Sequence, residues 1–314
     1  MKKVEKILDI TEDSLQYIYD TPVEVSLVNI HHSPVHTHSD SLELVMCLEG
    51  KVTIRCNHEE VVLNKNEIFT IEYNDLHCIY SACNNMTIIL HIDYTNLGGL
   101  RPLYLSCEDA SCKSYQKEML MHVKGKVLAL TYRILNSSIS SQEINKSATD
   151  LLKIFEDNFN WLNGFETYQN KNIEIDKRMK TVFNYCVTNY TDKISASALA
   201  RQLHINESYF SQFFRKSTYG GFNKMLGFIR CYHAQYLLLS SEMTITEIAS
   251  TTGFSDEKYF YKYFNYWWKK TPGQFRRWYK DYSHQEDSIE ILSGSSNQTR
   301  FEKHMAAFFA EILT

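Results

Sequence analysis

Thr244 to Phe264 reads TITEIASTTGFSDEKYFYKYF, and its plan is repeated upstream in Ser197 to Phe214, SALARQLHINESYFSQFF. Each stretch has a short helical pattern with a central alanine, a break, and a second helix rich in aromatics. Two short helices that cross closely need a small residue at the crossing, and Ala200 and Ala249 hold equivalent places. Gly253 follows Ala249 by four residues and suits a turn of positive φ, where the upstream copy has His204. Thr244 and Glu247 form a capping box at the entrance of the downstream copy; Ser255 is placed to cap its second helix and Asn206 the matching helix upstream. A pair of helix-turn-helix units is the expectation.

Phe210, Phe213 and Phe214 share one face of their helix, as do Phe260 and Phe264, and these belong in the core. The opposite faces carry Ser208, Ser211, Gln212 and Arg215 in the first copy, and Glu257, Lys258, Tyr261, Lys262 and Asn265 in the second. Such side chains suit a DNA major groove, since Arg, Gln and Asn bond base edges while Lys, Ser and Tyr hold phosphates. A solvated helix face uses the same residue types, so the spacing identifies a face and not a contact. Between the copies, Asn223 to Leu239 reads as one helix of 17 residues, about 25 Å long at 1.5 Å per residue. A spacer of that size can set two reading helices into successive major-groove segments roughly 34 Å apart.

Charge follows the same division. Residues 174–281 hold 16 Lys+Arg against 9 Asp+Glu, a net of +7, which leaves −11 for the remainder of a chain whose total is −4. A basic part attracts phosphate while an acidic partner domain is held off it, although chance clustering of solvated charge gives a similar split. At 314 residues with 44% hydrophobic content, two domains are expected. No run approaches the length of a membrane span, and MKKVEKILDI places Glu5 and Asp9 where a signal peptide needs apolar residues. The eight cysteines, at 47, 56, 78, 83, 107, 112, 186 and 231, include no CxxC pair, so reduced thiols and a cytoplasmic location are expected.

From Val23 to Ile92 the runs VEVSLV, LELVMCL, KVTIRC, EIFTIEY and MTIILHI are short, β-branched or aromatic, and broken by Gly, Asn and Asp, which points to a small barrel or sandwich. His36-Thr-His38, Glu43 and Gly50, with His77 farther on, fit the cupin pattern, in which two His, a Glu and a distant His converge inside a β-barrel where a divalent metal can bind. The second cupin motif is degraded: Asn66, Glu72 and Asn74 stand where Gly, Pro and Gly are expected, and Ile30 replaces a Gly before the first motif. That weakens a catalytic reading and leaves His36, His38, Glu43, Arg55, Tyr73 and His77 as polar candidates for the barrel's pocket, with Val45, Ile71 and Ile79 as apolar neighbours and no metal or cofactor assigned. His31, His32, His58 and His91 have no ligand spacing and are expected at the surface or core edge. A metal-dependent cupin enzyme with a helical partner domain is the alternative reading.

After residue 113, Leu120, Val123, Val127, Leu130 and Ile134 recur at helical spacing, as do Leu151, Phe155, Phe159 and Leu162. Residues 1–112 are thus expected to form the cupin-like domain, 113–165 two helices, 166–173 a linker, and 174–282 the helical DNA-binding domain. Residues 283–314 form a tail: SGSSNQT (Ser293 to Thr299) as a spacer, a Thr299/Glu302 capping box, and a stripe of Phe301, Met305, Phe308, Phe309 and Ile312 that docks on another domain or a second subunit. The fold class is α+β multidomain, an N-terminal cupin-like β-barrel with following helices and a C-terminal all-α double helix-turn-helix domain.

On these residues Ile173 to Tyr282 resembles the AraC family of transcription regulators, most specifically in ITEIASTTGFSDEKYFYKYF followed by TPGQFRR at Thr271. The resemblance implies two helix-turn-helix units joined by a long central helix and double-stranded DNA as partner. The chain departs from the family pattern at Tyr219 and Lys269, near positions usually held by Gly, and at Asn265 and Tyr266, which replace basic residues. Trp267 and Trp268 add aromatic bulk there, and Lys269, Lys270, Arg276 and Arg277 are the cations left to compensate. The barrel is similar to that family's sensor domains, which implies a small-molecule effector bound by His36, His38, Glu43, Arg55, Tyr73 and His77, a sugar first, with fatty acids taken by related sensors, and no catalysis. The helices near Gln116 to Asn136 and Ala148 to Leu162 resemble the family's dimerisation helices. A homodimer, and RNA polymerase as a further partner if the protein activates, are what the resemblance implies; no membrane is involved.

Overall fold

The computed structural model describes residues 11–12, 18, 21–38, 41–72, 75–93, 114–159, 173–215, 220–280 and 288–312. Tyr73, Leu162, Tyr219, Cys107, Cys112 and the linker residues 166–172 lie outside them. The chain divides into two compact units, one of Thr11–Asn163 with Gln285–Thr314 and one containing Gly164–His284.

The first unit is a nearly closed, mainly antiparallel barrel. Its strands are β1 (Thr11–Glu12), β2 (Val23–His32), β3 (His36–Thr37), β4 (Ser41–Glu49), β5 (Val52–Cys56), β6 (Glu59–Leu63), β7 (Ile68–Ile71), β8 (His77–Tyr80) and β9 (Met86–Asp93). They run in the order β1-β3-β8-β2-β9-β4-β7, and β5 pairs with both β6 and β8. The run LELVMCL is apolar at nearly every position because β4 is buried on both faces. Leu42, Leu44, Met46 and Leu48 join the core beneath the helices, while Val45 and Cys47 face an inner cluster with Ile54, Ile71 and Ile79.

Helices α1 (Ser114–Leu135) and α2 (Ser141–Asn158) cover the outer face. Helix α2 begins seven residues before the Ala148 expected from periodicity, because Ser140 and Glu143 form a reciprocal capping box. Leu120, Val123, Val127 and Leu130 of α1 are spent in this unit's own core, so packing within one chain accounts for the stripe.

The tail completes the same unit. Strand β10 (Ser288–Ile291) pairs antiparallel with β2, aligning Ile289 with Ile30, Glu290 with Asn29 and Ile291 with Val28. Helix α10 (Ser295–Ile312) buries Phe301 and Phe308 fully among the α1 and α2 core residues, with Met305 packed beside them, while Phe309 stays 37% exposed. The helix starts four residues before Thr299, whose hydroxyl donates to the Ser295 carbonyl at 2.9 Å, so the expected Thr299/Glu302 box and the long spacer do not form.

The second unit is helical: α3 (Ile173–Thr188), α4 (Ala196–Gln202), α5 (Glu207–Arg215), α6 (Phe222–Ser240), α7 (Ile245–Thr251), α8 (Glu257–Trp268) and α9 (Pro272–Lys280). The last residue of the expected linker, Ile173, already begins α3. Ala200 and Ala249 are buried, and the turns after them take positive φ at His204 (55°) and Gly253 (85°), as the repeat predicted. The Thr244/Glu247 box is formed, and Asn206 Oδ1 accepts from the Tyr209 amide at 2.7 Å. Asp256, not Ser255, caps α8, accepting from the Lys258 amide at 2.7 Å. Trp268, fully buried, donates to Gln235 Oε1 of α6 at 2.9 Å and stacks on Phe264 at 5.1 Å, which gives its indole N–H a partner inside the core.

Candidate functional site

The polar faces of α5 and α8 are where the repeat puts them. Ser208, Gln212 and Arg215 are exposed and Ser211 is half-buried; on α8, Lys258, Tyr261, Lys262 and Asn265 are exposed. Glu257 is half-buried and accepts from the Thr246 hydroxyl of α7, so it ties the two helices of its unit together. Phe213, expected in the core, is half-buried and stacks on exposed Tyr209 at 6.5 Å, because its position on α5 lies at the rim of the packed face.

Helix α6 has 19 residues, a spacer of about 28 Å at 1.5 Å per residue. Gly227 on α6 lets α8 come close, since a Cβ there would stand 2.5 Å from the Tyr263 ring. Of the cations offered as compensation, Arg276 is turned to the chain itself, donating to the Leu238 and Met243 carbonyls at 2.6 and 3.0 Å, while Arg277 is exposed. Lys270 lies over the Trp278 ring at 4.0 Å. Tyr266 is flanked by two lysines: Lys224 donates to its hydroxyl at 3.2 Å and Lys269 lies 5.1 Å from its ring. Lys224 belongs to α6, and only the fold brings it to α8.

In the barrel, His36, His38, Glu43 and His77 converge, all buried, with one ligand atom from each lying within 4.8 Å of the others. Adjacent strands bring two of them together, His36 on β3 in register with His77 on β8, and Glu43 enters from β4, which lies beyond β2 and β9 in the strand order. Glu43 Oε2 stands 3.1 Å from His38 Nε2 and 2.9 Å from His77 Nε2. His36 Nδ1 and His77 Nδ1 each lie 2.9 Å from a carbonyl, of Pro34 and of Asp75, which orients both Nε2 atoms away from the backbone. Burial would raise the Glu43 carboxyl, but the His77 charge and the hydrogen bonds from His38, His77 and His91 hold it well below the usual carboxylate range. His77 is pulled down by burial and up by Glu43, and ends above its ordinary value. Burial keeps His36 well below its ordinary value and lowers His38.

His91 belongs to this cluster although no ligand spacing marked it. Glu24, His91 and Glu43 form one row across β2, β9 and β4. His91 Nε2 is 3.6 Å from Glu43 and its Nδ1 3.7 Å from Glu24, and its ring lies 4.6 Å from that of His38. Its signal was strand phase, since His91 alternates with Ile89 on the face opposite Leu90 and Ile92. Arg55 does not join: it lies on the other face of β5 from Cys56, the register partner of His77, and its guanidinium is taken by Glu60. His32 is buried, not superficial, while His31 is exposed.

Comparison with known families places both units. Residues 22–95 match an AraC-like ligand binding domain and residues 199–277 a helix-turn-helix domain. The chain thus carries an AraC-like ligand binding domain and a helix-turn-helix domain.

The chain is 32% identical over 112 residues to YijO, an uncharacterized HTH-type transcriptional regulator of Escherichia coli, covering 34% of the chain and 39% of that relative. It is 33% identical over 88 residues to the Msm operon regulatory protein of Streptococcus mutans, covering 28% of the chain and 32% of that relative. The C-terminal domain of the two-component response regulator yesN from Fusobacterium nucleatum is 33% identical, with a TM-score of 0.28, over 31% of this chain and 97% of that one. The aligned parts span between 31% and 39% of the length of four curated relatives that the chain matches.

Proposed function

We propose that this chain is an AraC-family, sequence-specific DNA-binding transcription regulator controlled by a small-molecule effector held in the barrel. The observation that carries the reading is the pair of exposed polar faces on α5 and α8, built on buried Phe210, Phe214, Phe260 and Phe264 and separated by α6. Arg215, Gln212 and Asn265 suit base edges, and Lys258, Lys262, Tyr261 and Ser208 suit phosphates. Residue types at the barrel site favour a neutral polyhydroxy compound such as a sugar. The carboxylates Glu24 and Glu43 border it, and Arg55, the cation that would hold a fatty-acid carboxylate, faces Glu60 instead. A homodimer suits paired half-sites, through a surface other than the consumed α1 stripe. RNA polymerase enters the scheme if the protein activates, and the cytoplasm is the compartment that DNA implies.

Fluorescence anisotropy with a duplex from the protein's own upstream region tests this. Binding at least tenfold tighter than to random duplex at physiological salt, shifted by a candidate sugar, supports the reading; equal affinity for both duplexes with and without sugars refutes it.

One observation supports the second reading, a metal-dependent cupin enzyme. The donor set fits a divalent cation, with His36, His38, Glu43 and His77 as its holders and the Nδ1 contacts of His36 and His77 orienting their rings. A metal there would supply a Lewis acid. Metal analysis discriminates: stoichiometric Fe, Mn or Zn lost on His38→Ala, together with turnover of a small substrate, favours the enzyme.

A further inference from the structure

The sensor unit is discontinuous in sequence. The helix-turn-helix unit is inserted between two parts of it: Thr11–Asn163 comes before, and Gln285–Thr314 returns after. The returning segment is held by three kinds of contact. Strand β10 extends the sheet along β2, and beyond it the Leu292 amide donates to the Leu27 carbonyl at 2.7 Å. Phe301 and Phe308 of α10 are fully buried. His304 Nε2 meets Asn66 Oδ1 at 2.7 Å, Arg300 pairs with Glu49, and Gln298 donates to Asn136.

Strand β2, to which β10 is bound, also touches the effector site. It carries Glu24, pairs with β9 next to His91, and meets β8, the strand of His77, through His32 and Tyr80. Asn29 joins β10 to the residue that precedes β9: its Nδ2 donates to Glu290 Oε2 at 3.2 Å and its Oδ1 accepts from the Asn85 amide at 2.9 Å. A shift of β8 or β9 around an occupant therefore reaches β10 across a single strand.

We infer that residues 288–312 are a regulatory strap, which ties the DNA-binding unit to the sensor at its second end and whose hold on β2 is set by occupancy of the barrel. Only seven residues separate Lys280 of α9 from Ser288 of β10, which span at most about 28 Å even when fully extended. A unit tethered at both ends samples fewer orientations than one tethered at a single end, and docking that unit as a body on a duplex draws on that orientational freedom. The docked strap thus restrains DNA binding, and its release relieves the restraint. This rests on the DNA-binding reading above.

The test is a full-length chain with a protease site replacing residues 283–287, compared before and after cleavage. Native mass reports whether the tail fragment stays bound, and affinity is read with the upstream duplex and with a random duplex. The expected result is a fragment retained at native mass and DNA affinity raised at least tenfold by the cut. A fragment that separates overturns the docked strap, and affinity within twofold of the uncut chain overturns its restraint of DNA binding. A chain that binds no duplex in either form refutes the DNA-binding reading and with it the restraint, while retention of the fragment still reports docking independently. In the uncut chain, Glu290→Lys, which breaks the Asn29 contact without emptying the core, is expected to raise affinity by several-fold; no change would count against coupling through β2.

Discussion

Replacing Gly253 by alanine is expected to cost far more than replacing Gly220, although both glycines have positive φ in the same unit. Gly253 sits at +85°, and a Cβ there would stand 2.5 Å from the Tyr190 carbonyl oxygen and 2.8 Å from Thr191 Cα, both backbone atoms. That turn is not free to yield: Arg230 donates to the Tyr190 and Asp192 carbonyls at 2.8 Å each, and His233 stacks on Tyr190 at 3.9 Å. The left-handed backbone costs an L-residue roughly 1–2 kcal/mol, and disturbing charged hydrogen bonds adds roughly 1.5–3 kcal/mol, so Gly253→Ala should lose about 3–5 kcal/mol. Gly220, at +65°, has among the described residues only the Lys224 side chain within reach, at 3.5 Å, and should lose only the roughly 1–2 kcal/mol of backbone strain. Urea unfolding followed by tryptophan fluorescence reads the difference, because three of the four tryptophans, Trp267, Trp268 and Trp278, lie in this unit. Equal losses for the two substitutions, within about 0.5 kcal/mol, would refute the close packing of the turn against residues 190–191.

Phe301→Ala empties a fully buried site in α10 and should destabilise the sensor unit by about 3–5 kcal/mol; calorimetry should show one transition lowered and the tryptophan-rich unit unmoved. Arg215→Ala should relax sequence preference at one operator position at a cost of about 1–3 kcal/mol, whereas Lys262→Ala should weaken binding to all sequences and reduce the salt slope by about 1, both read by anisotropy across a salt series. Burial lowers His233 to about 4. Its neutral form is favoured by folding, so the stability it contributes is complete above pH 6.5 and is lost as pH falls toward 4. The loss approaches about 3 kcal/mol, and His233→Gln should flatten the slope of unfolding free energy against pH; an unchanged slope would assign it to other groups.

The helical unit was legible because local rules decided it. Ala249, Gly253 and the Thr244/Glu247 box each act within one turn of chain, and the structure keeps all three. Ser255 was misread by one residue because Asp256 beside it offers a better acceptor to the Lys258 amide. In the barrel, His36, His38, Glu43 and His77 were found by spacing, but His91 and Glu24 required strand register, which joins β9 to β2 and β4 over long sequence separations. Register also turned Arg55 away. The tail was the least legible part, since the partners of Phe301 and Phe308 lie in strands and helices of the other end of the chain, and periodicity names a buried face without naming what buries it.

Genome-fragment selection with the purified full-length chain, sequenced after binding at two salt concentrations, tests the central claim most directly. Two spaced helix-turn-helix units predict enrichment of a two-part motif whose halves are about one helical turn apart, retained at the higher salt. Recovery that is blind to sequence and vanishes with salt, or no recovery at all, would contradict the claim that α5 and α8 read DNA together.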